Sequence, residues 1–336
     1  MSDKTLSIAM ITYNHANYIK QAIESILTQN VNFHYEIIIG DDCSTDQTSQ
    51  ILREYRDRYP DIFTLILREE NIGATRNLYE VFTKCSGQYI AILEGDDFWT
   101  NENKLQMQID FLKKNKSYIA CTHRYGVVDE NGGLLQREYI GPGKPQEGEF
   151  SINYIENYIY PGHIGTVVFQ NIFISQIYDY TIIYKAHRFV GDIAIYIILA
   201  ALGDIYVMSH NMASYRSVRK KGGTNYVSTI AKTNLLLDRY LYLEKLEEFC
   251  TNEMNVTLKH KDRILHYNWW SLLYILRYPS KHNLKVFKEF YNMVNKKRAF
   301  FIYILKESST FPSLIVSWLK NRIRRKYMKI KMRLNG

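Results

Sequence analysis

The sequence predicts an α/β fold built on a parallel sheet with crossover helices, followed by a helical region. Three observations carry that expectation. Short apolar runs at 6–11, 35–39, 63–67 and 88–93 alternate with stretches of helical periodicity. The runs at 6–11, 35–39 and 88–93 break off into polar turn formers or acids, as the C-terminal ends of buried parallel strands do. From about Tyr226 the apolar residues keep helical spacing: Leu235, Leu236, Tyr240, Leu243 and Leu246, then Ile264, Tyr267, Trp270, Leu273 and Tyr274.

In chain order, 6–11 reads as the first strand and Thr12-Tyr13-Asn14 as its turn. A helix follows with Ile19, Ala22, Ile23, Ile26 and Leu27 on one face. The second strand, 35–39, closes in Gly40-Asp41-Asp42-Cys43-Ser44-Thr45-Asp46, which supplies turn formers and a cap for a helix over 47–58. Strand three is 63–67. Asn71-Ile72-Gly73 is a turn, and a helix runs from it to about Cys85. Strand four, 88–93, ends in Glu94-Gly95-Asp96-Asp97-Phe98-Trp99. Beyond it the pattern predicts a helix over 104–114, a strand over 117–128 and a turn over 129–133. A loop is expected at 138–149, then strands at 164–169 and 205–208 around an apolar helix at 193–202, and a basic loop over 214–226.

Strand ends of a parallel sheet share one edge, and ligands of open α/β sheets sit there. Acids crowded as in 94–97 repel one another unless a hard, oxygen-seeking divalent cation lies between them and a diphosphate. A solvated acidic turn is the alternative. No Gly-x-Gly-x-x-Gly follows the first strand and no phosphate loop ending in Gly-Lys-Ser or Gly-Lys-Thr occurs, which argues against dinucleotide-binding and P-loop classes. Asp192, entering the helix at 193–202, reads either as a helix cap or as a functional carboxylate.

The net charge of +9 is a local device. No acid follows Glu307, and Lys320, Arg322, Arg324, Arg325, Lys326, Lys329, Lys331 and Arg333 leave about +1 for the remainder. In the same tail Ile315, Leu319, Ile323, Tyr327, Ile330 and Leu334 form an apolar stripe. This amphipathic helix suits an anionic membrane surface, or packs on the body with a solvated basic side. No base-reading motif accompanies it, so no nucleic-acid partner is expected. The four cysteines are scattered without a Cys-x-x-Cys spacing, which points away from a zinc site or redox pair and towards a reducing compartment. A strand beginning within five residues predicts no leader, and the apolar run at 193–202 falls far short of the roughly 20 residues a membrane span requires.

Thr12-Tyr13-Asn14, Gly40 through Asp46, Asn71-Ile72-Gly73 with Arg76-Asn77, and Glu94 through Trp99 stand in register over roughly 5–220. Together they resemble the family-2 glycosyltransferases of the GT-A fold, a Rossmann-like mixed sheet with flanking helices. The resemblance implies a transferase domain over 1–225; the helical periodicity adds a C-terminal region over 226–312 and a basic tail helix over 313–336. The resemblance also implies that Thr12, Tyr13, Asn14 and Asp42 hold the nucleotide, with Tyr13 against the ring and Asp42 accepting from a ring N–H. Cys43 stands where the family usually has glycine. Arg76 is expected near the nucleotide or its phosphates, or as a surface helix arginine.

The acidic stretch matches the family's Asp-x-Asp motif, with Glu94 in place of the first aspartate. The resemblance puts Glu94 and Asp96 against the donor and makes Asp96 or Asp97 the ligand of Mg²⁺ or Mn²⁺. Phe189-Val190-Gly191-Asp192 matches the element that carries the general base of inverting members, so Asp192 is the expected base. Tyr215-Arg216 through Gly222-Gly223 resembles a family segment whose histidine is absent here; Arg216 and Arg219 are expected to counter the diphosphate charge. The implied reaction moves a sugar from a nucleotide diphosphate, a UDP-sugar by family tendency, to a glycan or lipid-linked acceptor. Its expected setting is the cytoplasmic face of the inner membrane. A sugar-nucleotide nucleotidyltransferase and a non-catalytic binding scaffold are the competing readings.

Overall fold

The structure, a computed structural model, describes residues 4–139, 143, 145–187, 191–218, 235–294, 299 and 303. The chain divides into two compact units. One comprises 1–228 with 244–260, and the other 229–243 with 261–336.

The first unit is organised on a 10-stranded sheet. Strands β1 (Leu6–Thr12), β2 (Tyr35–Asp41), β3 (Phe63–Leu67) and β4 (Tyr89–Glu94) run parallel in the order β3-β2-β1-β4. They are joined through helices α1 (Ile19–Leu27), α2 (Thr48–Arg58) and α3 (Ala74–Phe82). The register sets Thr12 beside Asp41 and Ile11 beside Glu94, so three polar turns open on one sheet edge. β1 is buried along its whole length, which explains why it reads as an unbroken apolar run instead of an alternating one. Leu6, Ile8 and Met10 pack with Ile19, Ile23 and Ile26 of α1 and with Ile37 and Ile39 of β2 in one core. Asn77, on α3, donates from Nδ2 to the Gly40 carbonyl at 2.7 Å. A Cβ at Gly40 would fall 2.3 Å from Asn77 Oδ1, so the close approach of helix and strand end depends on that glycine.

The rest of the sheet is mixed. After β5 (Phe98–Trp99) and α4 (Lys104–Lys114) come β6 (Tyr118–Val128), β7 (Leu134–Tyr139), β8 (Gly148–Phe150), α5 (Ile152–Glu156) and a 3₁₀ turn over Ile164–Thr166. β9 (Val168–Gln170), α6 (Ile182–Lys185), α7 (Asp192–Leu202) and β10 (Asp204–Arg216) complete the unit. β9 is antiparallel to both β4 and β6, whereas β10 runs parallel to β6.

Three sequence expectations change here. The last strand does not stop at 208. Register shifts between Met208 and Ala213 let β10 continue beside β6 and pair with β5, so Ser214–Arg216 is strand and not loop. The 138–149 loop yields its ends to β7 and β8, and the strand expected from 164 starts at Val168 after the 3₁₀ turn. The basic residues 219–226 and the tail helix at 313–336 lie outside the described residues.

α4 opens with a fully buried lysine. Lys104 Nζ donates to Gln108 Oε1 at 2.7 Å and lies 4.1 Å from the Trp99 ring centroid. Burial pushes its pKa down to about 7. Between that value and the ordinary 10.5 the unfolded chain holds a proton that the folded chain lacks, so this group makes stability rise with pH. Lys104→Met removes the dependence. The stability difference between variant and wild type should therefore move by about 3 kcal/mol or more in favour of wild type from pH 7 to pH 10. Denaturant titrations at the two pH values check this, and an unchanged difference would show that Lys104 does not titrate in that window.

In the second unit, α8 (Leu236–Asn252) contributes residues up to Leu243, and α9 (Arg263–Arg277) and α10 (Lys281–Met293) supply the remaining described helices. The rings of Tyr240, Tyr267 and Phe290 meet at 5.7–5.9 Å, and Trp269 and Val294 anchor a small core with Leu265, Leu273 and Phe287.

Candidate active site

The acidic turn is held by backbone before any side chain acts. The Gly95 N–H donates to the Ile11 carbonyl at 3.0 Å and the Asp97 N–H to the Glu94 carbonyl at 3.1 Å. A Cβ at Gly95 would meet Thr12 Oγ1 at 2.7 Å, so this glycine permits the tight packing of the turn on β1. The three acids then diverge. Asp96 faces His15, with Oδ2 3.8 Å from Nε2. Glu94 and Asp97 face His163: Glu94 Oε2 lies 3.5 Å from Nε2, and Asp97 Oδ2 lies 3.4 Å from Nδ1.

Asp97 is 3% exposed. Its Oδ1 accepts the Arg216 N–H at 2.7 Å, whereas Oδ2 is buried with no hydrogen-bond partner among the described residues. Burial, then the charges of Asp96 and Glu94, push its pKa up against the Arg216 N–H and guanidinium. Burial likewise raises Glu94, with further contributions from Asp96 and Asp192. His163 is pushed down to about 4 by burial and so carries a neutral ring near pH 7.

Among the described residues, Glu94, Asp97 and His163 form the cluster whose ligand atoms lie close enough to share a metal ion, all within 4.8 Å of one another. Two carboxylate oxygens and an imidazole nitrogen, with one oxygen buried and unpartnered, fit a divalent cation. Of the two expected metal candidates, Asp97 lies in this cluster beside Glu94, and Asp96 Oδ2 faces His15. Sequence reasoning missed His163 altogether. Its one local signal is its setting in Pro161-Gly162-His163-Ile164-Gly165, a polar residue between glycines ahead of a buried strand.

Asp192 is the first residue of α7 and is exposed. Its Oδ1 accepts the Ile193 N–H at 2.9 Å, and its charge is felt at Glu94 and at Tyr196. A solvent-accessible carboxylate on a different element is therefore near enough for its charge to raise Glu94.

On the strand-one side, Asn14 (φ 56°) accepts the Thr45 N–H at Oδ1 at 2.8 Å and donates its own N–H to Ser44 Oγ at 2.9 Å. Cys43 takes φ 65°, a left-handed conformation that favours glycine. Tyr13 is half-buried, and Thr12 Oγ1 is buried without a hydrogen-bond partner among the described residues. Asp41 caps its own turn through Ser44 and Ser49. Asp42 accepts the N–H groups of Ile72 (2.8 Å) and Gly73 (3.0 Å), tying the second turn to the N-terminus of α3.

Of the three candidate arginines, two are described. Arg76 is an exposed helix residue whose Nε pairs with Glu80 Oε1 at 3.0 Å, the surface alternative. Arg219 lies outside the described residues. Arg216 is 4% exposed, between the rings of Tyr18 (4.7 Å) and Phe98 (5.4 Å). Its guanidinium donates to the carbonyls of Asp96 (2.8 Å), Asp129 (3.2 Å) and Glu130 (3.3 Å) and to Gln21 Oε1 (2.6 Å). It braces the acidic turn from inside the protein instead of reaching over it from a loop.

A mixed α/β sheet whose polar turns open on one strand edge is of the class that binds its ligands at that edge. Comparison with known proteins makes it specific: the family model Glycosyl transferase family 2 matches residues 7–178, half of the chain, and the protein belongs to that family. The chain is 41% identical over 127 residues to the uncharacterised protein Rv1520 of Mycobacterium tuberculosis, covering 38% of this chain and 37% of that one. It is 31% identical over 137 residues to TuaG of Bacillus subtilis, provisionally named a teichuronic acid biosynthesis glycosyltransferase, covering 41% and 53%. The chain therefore spans about a third to a half of the length of these relatives. Its fold is that of S. aureus TarS 1–349 in complex with UDP-GlcNAc, at TM-score 0.60 and 16% identity over 85% of this chain and 79% of that one. The GT-A fold expected from the motifs is borne out.

Proposed function

We propose that this protein is an inverting glycosyltransferase that takes its sugar from a UDP-sugar and delivers it to a hydroxyl of a glycan or lipid-linked acceptor in cell-surface polysaccharide synthesis. The observation that carries the reading is the Glu94–Asp97–His163 cluster at the sheet edge, with the charge of an exposed carboxylate on α7, Asp192, acting on Glu94. TarS was solved with UDP-GlcNAc and TuaG is named for teichuronic acid, which supports the donor class and the type of product.

Asp192 accepts the proton of the acceptor hydroxyl, and the freed oxygen attacks the anomeric carbon from the face opposite the leaving diphosphate. The helix N-terminus beneath Asp192 favours a carboxylate there. A single displacement with no covalent intermediate inverts the anomeric centre. Glu94 and Asp97 would hold a Mg²⁺ or Mn²⁺ ion, which would supply positive charge to the leaving diphosphate. Thr12, Tyr13, Asn14 and Asp42 bound the space for base and ribose.

Calorimetric titration of UDP, GDP, CDP and TDP, with and without Mn²⁺, tests the donor site in wild type and Asp97→Asn. UDP should bind in a metal-dependent manner and lose at least about tenfold in affinity in the variant. Failure of every diphosphate to bind folded protein would favour the scaffold reading.

The membrane part of the proposal rests on the sequence of 313–336. Among the described residues no helix is long and apolar enough to cross a membrane. Deleting 313–336 should abolish flotation with anionic vesicles and spare UDP binding; retained flotation would remove the tail from the reading.

A further inference from the structure

We propose that Tyr125, Tyr139 and Tyr215 form the acceptor subsite of this protein, a fan of aromatic rings on which a pyranose of a saccharide acceptor stacks. The proposal rests on the transferase reading above and names the residues and the chemistry of its acceptor side.

Strand register puts these side chains on one face of the sheet. Ala213 and Tyr215 of β10 stand beside Tyr125 and Val127 of β6 in parallel register, and Tyr139 of β7 stands opposite Tyr125. A bulge in β7 produces that last pairing. Val127 stands opposite Gln136, so β7 runs three residues against two of β6 before Tyr139 meets Tyr125. An unbroken ladder would have set Glu138 there. Glu138 instead accepts from Arg124 Nη1 at 2.8 Å, and Asn211 Nδ2 donates to the Arg137 carbonyl at 2.6 Å. Both contacts hold β7 in place, so the Tyr139 ring is positioned before a ligand arrives.

The line of rings starts at the acidic turn and runs outward. Tyr215 precedes Arg216, whose N–H donates to Asp97 Oδ1 at 2.7 Å. The Tyr215 ring lies 4.6 Å from that of His163, His163 lies 5.6 Å from Tyr125, and Tyr125 lies 5.3 Å from Tyr139. Successive planes are tilted by 30–52°, so the rings spread apart and do not stack flat on one another. Burial, then the neighbouring Tyr139, Tyr196 and Tyr215 and the Asp97 carboxylate, push the Tyr125 phenol up. The charge of the acidic turn thus reaches the middle of the fan.

Exposure and strand order point to a ligand and to which one. Tyr139 is 37% exposed on a strand that pairs with β6 alone among the described strands, and Tyr125 and Tyr215 are half-buried. Rings serving only as core would be closed over. The turns proposed for base and ribose end β1 and β2, whereas β6 and β7 lie on the other side of β4, beyond β9. A ring bound on the fan is therefore not the nucleotide base; it lies past the acidic turn, where an acceptor approaches. One face of a pyranose carries C–H groups, which settle on the negative face of an aromatic ring, while tyrosine hydroxyls suit the polar rim of the sugar.

The test is saturation-transfer NMR on the full chain with UDP and the methyl glycosides of glucose, galactose and N-acetylglucosamine, with irradiation of the protein's aromatic protons. Ring C–H protons of at least one glycoside should receive saturation, alongside the uracil protons of UDP. Tyr139→Ala should weaken binding of that glycoside about 3- to 10-fold and Tyr139→Phe by less than about twofold, because the ring and not the hydroxyl carries the contact. Tyr125→Leu should act as Tyr139→Ala does. Saturated uracil without any saturated glycoside in wild type overturns the subsite and leaves the donor reading standing. Unchanged glycoside affinity in Tyr139→Ala, or a Tyr139→Phe as weak as Tyr139→Ala, overturns it equally. No uracil signal from wild type overturns the transferase reading itself. Tyr139 sits exposed on an edge strand, so its variants decide even if Tyr125→Leu fails to fold.

Discussion

Asp192→Asn should lower the rate of sugar transfer by about 10²- to 10⁴-fold while leaving UDP and Mn²⁺ affinity within about threefold of wild type. The substitution keeps size and shape and retains an oxygen that can accept the Ile193 N–H. It removes the basic lone pair that takes a proton. Asparagine serves as well as aspartate near a helix N-terminus, so a purely structural role predicts a variant with nearly full activity. The measurement is UDP release from the donor that titration identifies, with acceptor or with water as its surrogate. Activity within a few-fold of wild type would remove Asp192 as the base.

Arg216→Met should lower folding stability by about 3–5 kcal/mol, the range for a buried charged hydrogen-bonding group whose partners are left behind. Methionine fills part of the space between Tyr18 and Phe98 but leaves the carbonyls of Asp96, Asp129 and Glu130 and the Gln21 side chain without their donor. Lysine cannot reproduce the fork, since a single ammonium does not reach that many separated acceptors in fixed directions. Arg216→Lys should therefore recover only part of the loss. A thermal midpoint depressed by about 6–12 °C for the methionine variant is the expected reading. A midpoint within 2 °C of wild type would instead make this arginine free to serve the diphosphate.

Both residues show how far local pattern reaches. Asp192 was legible as a candidate because a carboxylate at the start of an apolar helix is a local feature. Arg216 was legible as a basic residue, but not as an interior one. Its burial depends on β10 running past the irregularity at 208–213 to pair with β5 and with the far end of β6. That pairing joins segments distant in sequence and has no signature in the residues of β10 alone. The placement of Arg76 on the outside of α3 was likewise open until the fold set which face of the helix meets the sheet.

The amino-acid sequence by itself determined the parallel β3-β2-β1-β4 core, the helices between its strands and the edge on which its acids and turns emerge. Apolar periodicity and turn chemistry are properties of neighbouring residues, and parallel strands share one C-terminal edge whatever surrounds them. Only the tertiary structure decided which side chains meet there. It turned Asp96 to His15, brought His163 between Glu94 and Asp97 from a loop ahead of β9, and buried Arg216 beneath the acidic turn. Those meetings are set by strand order and register across the whole sheet, long-range pairings that burial of the common core selects and that no local stretch of sequence encodes.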